Sequence, residues 1–346
     1  MTNRIAIIVL LGISLGLYSG CRSQEQVGKG AEKHTTLANG KVLYALKLTK
    51  GQSYDMRIGT KIYMPPPSVP KIKGQSSDIR IDTKVDKEPT LRVNTDMVYR
   101  FNVKSIDDLG IAMVDCTVNR VKVSQKLGYG QDVDYDSADE NKQVIPKAKG
   151  MDDIAYAYAR SMRAYLDSTF TVKIMPCGQV LEIVGADIVQ WNVSKKLMRE
   201  MGREISSDRT EAGIAGWGEE VLRHLFLNPL PIYSKQPIGP GDSWTRNEKV
   251  PDRDKQGATN VTDSYKHEWT WTLKERKAGM ATIKVDEQLI KEADPTVPVW
   301  SSHGTLEIDE ATGRILHSTT RQETSSQGGV TVTTFEMAEA KVKPDK

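Results

Sequence analysis

The sequence predicts a mainly β protein with a few helices, an α+β fold built on one curved antiparallel sheet or open half-barrel. Two observations point there first. From residue 41 onward the chain is rich in short alternating apolar–polar segments punctuated by glycine, the period-two signature of strands with one buried face. A series of landmarks then occurs twice in the same order, so two similar halves are expected. A third observation adds helices: three segments carry apolar residues at helical spacing, and each must bury that stripe against another element.

The landmarks run as follows. Lys50-Gly51-Gln52-Ser53-Tyr54 is echoed by Pro240-Gly241-Asp242-Ser243-Trp244. Tyr99, Phe101 and Val103 are echoed by Trp269, Trp271 and Leu273, and each set leads into a charged turn ending at Gly110 or Gly279. Those glycines launch strands with Ala112, Val114 and Cys116 in one half, and Ala281, Ile283 and Val285 in the other. A last hairpin matches Val172 to Ile174, Gly178 and Val180 with Leu306 to Ile308, Gly313 and Ile315. Counting the alternating runs gives roughly ten strands. The helical stripes lie at Asp152–Leu166, at Asp187–Ile205, and at Ile214, Trp217, Val221, Leu222 and Leu225. The last two are expected to form a helical hairpin packed on the sheet. The organisation predicted is therefore 41–186 for the first half, 187–226 for the hairpin and 227–346 for the second half, with 41–346 as one domain.

The first forty residues carry a different message. Met1-Thr2-Asn3-Arg4 precedes an apolar run from Ile5 to Tyr18. That run is short of the roughly 20 residues a spanning helix needs and suits a cleaved export signal over 1–20. It ends in Leu17-Tyr18-Ser19-Gly20-Cys21. Small residues before a cysteine resemble the lipobox of bacterial lipoproteins, although that family usually has leucine where Tyr18 stands. The resemblance implies lipidation of Cys21 and two or three acyl chains, enough for stable anchoring where one chain binds only marginally. It also implies an outer-membrane destination, facing the periplasm, if the cell has two membranes, since Arg22 rather than an acidic residue follows the cysteine. Residues 21–40 then read as the lipidated cysteine and a flexible tether; the fifteen residues after Cys21 reach at most about 50 Å.

Composition excludes several roles. With 48 basic and 45 acidic residues and a net charge of +3, the chain has no basic footprint for nucleic acid. There is no nucleophile elbow, phosphate loop or dinucleotide fingerprint, so neither an enzyme nor a bound cofactor is expected. None of the five histidines (His34, His224, His267, His303, His317) pairs at metal-ligand spacing; His303 and His317 flank one predicted hairpin, and a structural role is expected for them. Asp132, Asp134, Asp136, Asp139 and Glu140 read as a solvated acidic loop, because the closing glycine and glutamate of a calcium loop are missing. Cys116 falls in mid-strand on an apolar face and Cys177 at a hairpin tip, an arrangement that argues against a disulfide.

All six tryptophans fall between Trp191 and Trp300. Trp269 and Trp271 share a strand face with His267 and Leu273, and Trp217 lies on a helical stripe. Trp217, Trp269 and Trp271 are the candidate lining of a pocket for an apolar molecule or a glycan; the competing reading makes them core, because Tyr99 and Phe101 occupy matching places. Beyond the lipobox, Leu46-Lys47-Leu48 with Gly51, Tyr135-Asp136-Ser137, Phe170 to Ile174 with Gly178 and Val180, and Leu227 to Pro231 resemble a family of uncharacterised bacterial lipoproteins. It is known only as a domain of unknown function, and the likeness covers about residues 41–340. The resemblance brings no activity. The function expected is a membrane-anchored envelope lipoprotein that binds an apolar or glycan ligand; the alternative is a structural or assembly partner of other envelope proteins.

Overall fold

The computed structural model describes residues 40–64, 91–127, 132–142, 145, 151–200, 222, 232–251, 264–291, 294–324 and 329–340. The export signal, Cys21, the tether, Trp217, His34 and His224 lie outside the described residues. So does the third helical stripe, apart from Leu222, which is helical and buried.

Among the described residues twelve strands form one antiparallel sheet: β1 (Ser53–Met64), β2 (Leu91–Ile106), β3 (Ala112–Leu127), β4 (Val133–Asp136), β5 (Thr169–Ile174), β6 (Val180–Val184), β7 (Ser243–Pro251), β8 (Ser264–Lys277), β9 (Met280–Lys291), β10 (Asp294–Asp309), β11 (Ile315–Thr324) and β12 (Val330–Glu339). The order is β6-β5-β3-β2-β1-β12-β11-β10-β9-β8-β7, with β4 paired to β3 alone. The path is open, with β6 and β7 at its ends. The mainly β, open antiparallel class read from the sequence is the observed one, with twelve strands rather than ten.

The two halves repeat one hydrogen-bonding plan. Gly51 N–H donates to Val103 and Gly241 N–H to Leu273, and the return bonds run from Val103 to Gln52 and from Leu273 to Asp242. Tyr54 then faces Phe101 as Trp244 faces Trp271. The β2–β3 ladder shifts register between Val103 and Ser105, and the β8–β9 ladder shifts between Leu273 and Glu275. A second shift falls between Lys173 and Ile174 in one half and between Glu307 and Ile308 in the other. Bulges add local twist and are positional features of a sheet; two of them recur at equivalent places. β12 joins the halves, pairing with β1 on one side and β11 on the other.

Two helices, α1 (Met151–Ala164) and α2 (Ala186–Glu200), cover part of the first half. The period-3.6 stripe of α1 buries Tyr156, Ala159 and Met162, and Asp167 beyond its end takes a left-handed φ of 63°, the conformation in which helices often terminate. The Lys196 ammonium of α2 donates to the carbonyls of Ala164 (3.1 Å) and Leu166 (2.8 Å), satisfying groups that a helix end leaves open. Arg163 pairs with Glu200 at 2.6 Å. Among the described residues α2 packs against α1; the helix expected over 214–225 as its hairpin partner lies outside them apart from Leu222.

The acidic segment 132–140 corrects the sequence reading. It is not a loop throughout: Val133–Asp136 pairs with β3 as strand β4, with Val133 and Tyr135 buried, while Asp132, Asp134 and Glu140 stay exposed as expected. Asp136 is itself buried and receives both Arg120 guanidinium bonds, at 3.1 and 2.7 Å. Paired charge is what permits that burial.

Residues 40–49 form a strap across the tight turns. Leu46 N–H reaches Pro176 (2.6 Å) and Lys47 N–H reaches Thr312 (2.7 Å), so the strap bonds to one hairpin tip in each half. Gly313, with φ +65°, passes so close to the Ala45 carbonyl that a Cβ would collide with it, which is why the turn needs glycine.

Candidate functional site

Strands β7 to β10 place three rows of side chains on the core-facing side of the second half. Period-two alternation puts Trp244, Arg246 and Glu248 of β7 opposite Trp271, Trp269 and His267 of β8. Those in turn face Val285, Glu287 and Leu289 of β9, and β10 adds Gly304, Ser302 and Trp300 in the same register. Aromatic and β-branched residues suit such a pleated surface; the charges among them do not, and each is held by a neighbour.

The Trp244 and Trp271 rings stack at 6.0 Å with an interplanar angle of 16°, and Trp244 Nε1–H donates to the Ile232 carbonyl at 2.7 Å. His267 lies against Trp269 at 3.6 Å between centroids and meets Trp300 edge-on at 5.1 Å. The Arg246 guanidinium sits 5.4 Å from the Trp269 centroid, within cation–π reach, and pairs with Glu248. His267 Nε2 and Glu287 Oε1 are 2.7 Å apart. With Glu287 ionised, the carboxylate accepts and Nε2–H donates, which fixes the ring's tautomer when it is neutral. The side chain of His267 is only 1% exposed, against 22% for Glu287, 24% for Glu248 and 33% for Arg246. The face thus combines flat aromatic surfaces with partly accessible charged groups.

Comparison with the first half shows how unusual this is. Tracing the shared register, Arg246 stands where Met56 does, Glu248 where Ile58 does, His267 where Met97 does and Glu287 where Val118 does. All four first-half residues are apolar and buried. Four polar or charged residues in one corresponding patch are costly to a core and natural to a surface that recognises something.

The sequence had singled out Trp269 and Trp271, and the structure brings them together on one face with His267. Trp271 is buried and Trp269 half-buried. Trp244, Trp300, Arg246 and Glu287 had not been assigned to the site. The landmark pairing Ser53-Tyr54 with Ser243-Trp244 already contained the signal, because two aligned strands share a register. Cys116 is buried in mid-strand opposite Phe101, Cys177 lies half-buried in the β5–β6 turn, and both are free. His303 bonds to Asp286 (2.8 Å) and His317 lies 3.6 Å from Glu336, each exposed. His317 faces Glu307, four residues along β10 from His303, so the two are roughly 13 Å apart along the strands. Among the described residues no three metal-ligating side chains gather, and no helix is long and apolar enough to cross a membrane.

These features define a class: a large open antiparallel sheet of two like halves, helices over one and an aromatic, charge-bearing face on the other. The chain belongs to a family of unknown function (DUF6263), whose model matches residues 110–315, more than half of its length. That match runs from the turn before β3 to the first residue of β11, and so includes the whole β7–β10 face. Among curated proteins none matches. The chain is similar to the solved structure of a presumed exported protein with a YmcC-like fold from Bacteroides fragilis, at 7% identity and a TM-score of 0.21. That superposition covers 86% of this chain and 100% of the other. At such a TM-score the likeness carries no argument about fold, location or role.

Proposed function

We propose that this chain is a non-enzymatic lipoprotein of the bacterial envelope, anchored through acyl chains on Cys21, that holds a glycan on the β7–β10 face. The observation that carries the ligand reading is the replacement of Met56, Ile58, Met97 and Val118 by Arg246, Glu248, His267 and Glu287 at corresponding places. A wholly apolar ligand would favour the first-half pattern. Sugars present apolar faces for tryptophan rings and hydroxyls for charged groups, which suits the mixed face. The two halves fit descent from one duplicated unit, one copy kept as core and the other adapted to binding. An outer-membrane position facing the periplasm, in a cell with two membranes, follows from Arg22.

Two experiments test this. Titration with chitohexaose should quench tryptophan fluorescence, and Trp269→Ala should remove the effect; an unquenched wild type sinks the glycan reading. Labelled fatty acid should enter the wild type and be absent from Cys21→Ser; equal labelling of both sinks the anchor.

A second reading, docking of envelope proteins, is favoured by edge strand β6, where Leu181 and Val184 are exposed beside an open ladder. Strand addition to such an edge is a common mode of recognition. Recovery of the same partner by wild type and Leu181→Lys from solubilised membranes would count against it.

A further inference from the structure

Between the aromatic face and α1 the core-facing side of the sheet changes character. β12 passes from Met337 and Phe335, both buried, to Thr333 and Thr331, and β1 passes from Met56 and Ile58 to Thr60. β11 places Thr320 and Gln322 at the same level, facing Thr333 and Thr331, and Thr333 faces Thr60. All five side chains are partly exposed, none is ionisable, and none bonds to another described side chain. Threonine suits a strand, but a face packed on a core carries apolar residues at such places.

The strip is continuous with the aromatic rows at one end. Thr320 and Gln322 face Gly304 and Ser302 of β10. Those face Val285 and Glu287 of β9, which face Trp271 and Trp269. At the other end Thr60 faces Thr95, which is buried with its hydroxyl 2.9 Å from that of Tyr158, so α1 closes the strip there. From Trp269 on β8 to Thr60 on β1 is five strand spacings, about 24 Å. We infer, on the strength of the glycan reading of the β7–β10 face, that this strip extends that site. Its ligand is a neutral, unbranched oligosaccharide laid across the strands. An extended pyranose chain advances by about one strand spacing per sugar, so the run from Trp269 takes about five sugars. Each hydroxyl both donates and accepts, and the Gln322 carboxamide sets a donor beside an acceptor, which matches neighbouring sugar hydroxyls. The tryptophans hold one end of the chain, and the strip reads its length.

Calorimetric titration of the full chain with chitobiose and with chitohexaose tests this. The longer chain offers several overlapping disaccharides, so an advantage of up to about fivefold is statistical. Wild type should bind chitohexaose at least about fiftyfold more tightly than chitobiose. Thr320→Val combined with Thr333→Val should bring that ratio down to about fivefold. Thr320→Ser combined with Thr333→Ser, which keeps both hydroxyls, should hold it near the wild-type value. A wild-type ratio within the statistical factor, while chitobiose still quenches tryptophan fluorescence, overturns the strip and leaves the glycan reading standing. A ratio that survives in the valine pair, or is lost equally in the serine pair, also overturns the strip. Binding of neither sugar overturns the glycan reading and the strip with it.

Discussion

The two halves of the sheet share a hydrogen-bonding plan and differ in what they do with it. In the first half the row Met56, Tyr99 and Val118 is buried and apolar. In the second the matching row is Arg246, Trp269 and Glu287, each partly exposed. The difference begins in chain connectivity. Between β3 and β5 the first half inserts β4 and α1, which close over its face, whereas β9 leads to β10 after only residues 292–293. Among the described residues the same ladder is buried in the half that carries this insertion and partly exposed in the half that lacks it at the equivalent place.

The largest expected effect separates the halves by burial. Phe101→Ala removes a buried ring and should cost about 3–5 kcal/mol. Trp269→Ala removes a half-buried one and should cost about 1–2 kcal/mol, while abolishing glycan quenching. Urea midpoints at unchanged m-value measure both. Equal losses would make the second face ordinary core and break the comparison.

The next prediction turns one half into the other. Glu287→Val copies Val118 but leaves His267 buried without its carboxylate, a loss of about 1–3 kcal/mol. Adding His267→Met, which copies Met97, should recover most of it, because a well-packed apolar pair is often as stable as a buried polar one. A double variant as unstable as the single one would show that the two faces are not interchangeable frameworks.

A smaller effect belongs to the first half's insertion alone. The Arg120 guanidinium beside Asp136 holds its carboxyl below the ordinary range. A depressed folded pKa stabilises fully above the unfolded value, near 3.9, and that contribution fades as pH falls through the folded one. Asp136→Asn should therefore cost about 1 kcal/mol at pH 7, discounted for the exposure of Arg120. The difference from wild type should shrink below about pH 4. A difference that stays constant across the acid limb would detach Asp136 from that dependence.

The sequence made the turns and strand pairings legible because a left-handed glycine and a period-two stripe are local signals. Gly51, Gly110 and Gly178 match Gly241, Gly279 and Gly313, all at positive φ. The bulges were not legible, since an extra residue in a ladder is defined by its partner strand. Nor was β4, whose alternating aspartates masked the inward Val133 and Tyr135. Trp269 and Trp271 were found from composition and period. Glu287 and Arg246 were not, because isolated charges in strands are ordinary until cross-strand register shows which face they occupy.

The smallest expected effect tests the correspondence where it predicts almost nothing. Cys116 faces Phe101 across the ladder as Val285 faces Trp271, two residue pairs from those that border the equivalent bulges. Cys116 is buried, with a thiol whose pKa is pushed up by burial and whose sulfur lies 3.9 Å from the Val114 carbonyl. It therefore acts as a small apolar filler, protonated and unreactive in the folded chain. Cys116→Val imports the residue that the other half uses and should change stability by less than about 1 kcal/mol. The half-exposed Cys177 should then carry the thiol labelling of the folded described region, in wild type and variant alike. If Cys116→Val instead costs more than about 2 kcal/mol, the pocket around Phe101 is shaped differently from that around Trp271. The repeat would then extend to the backbone but not to its packing.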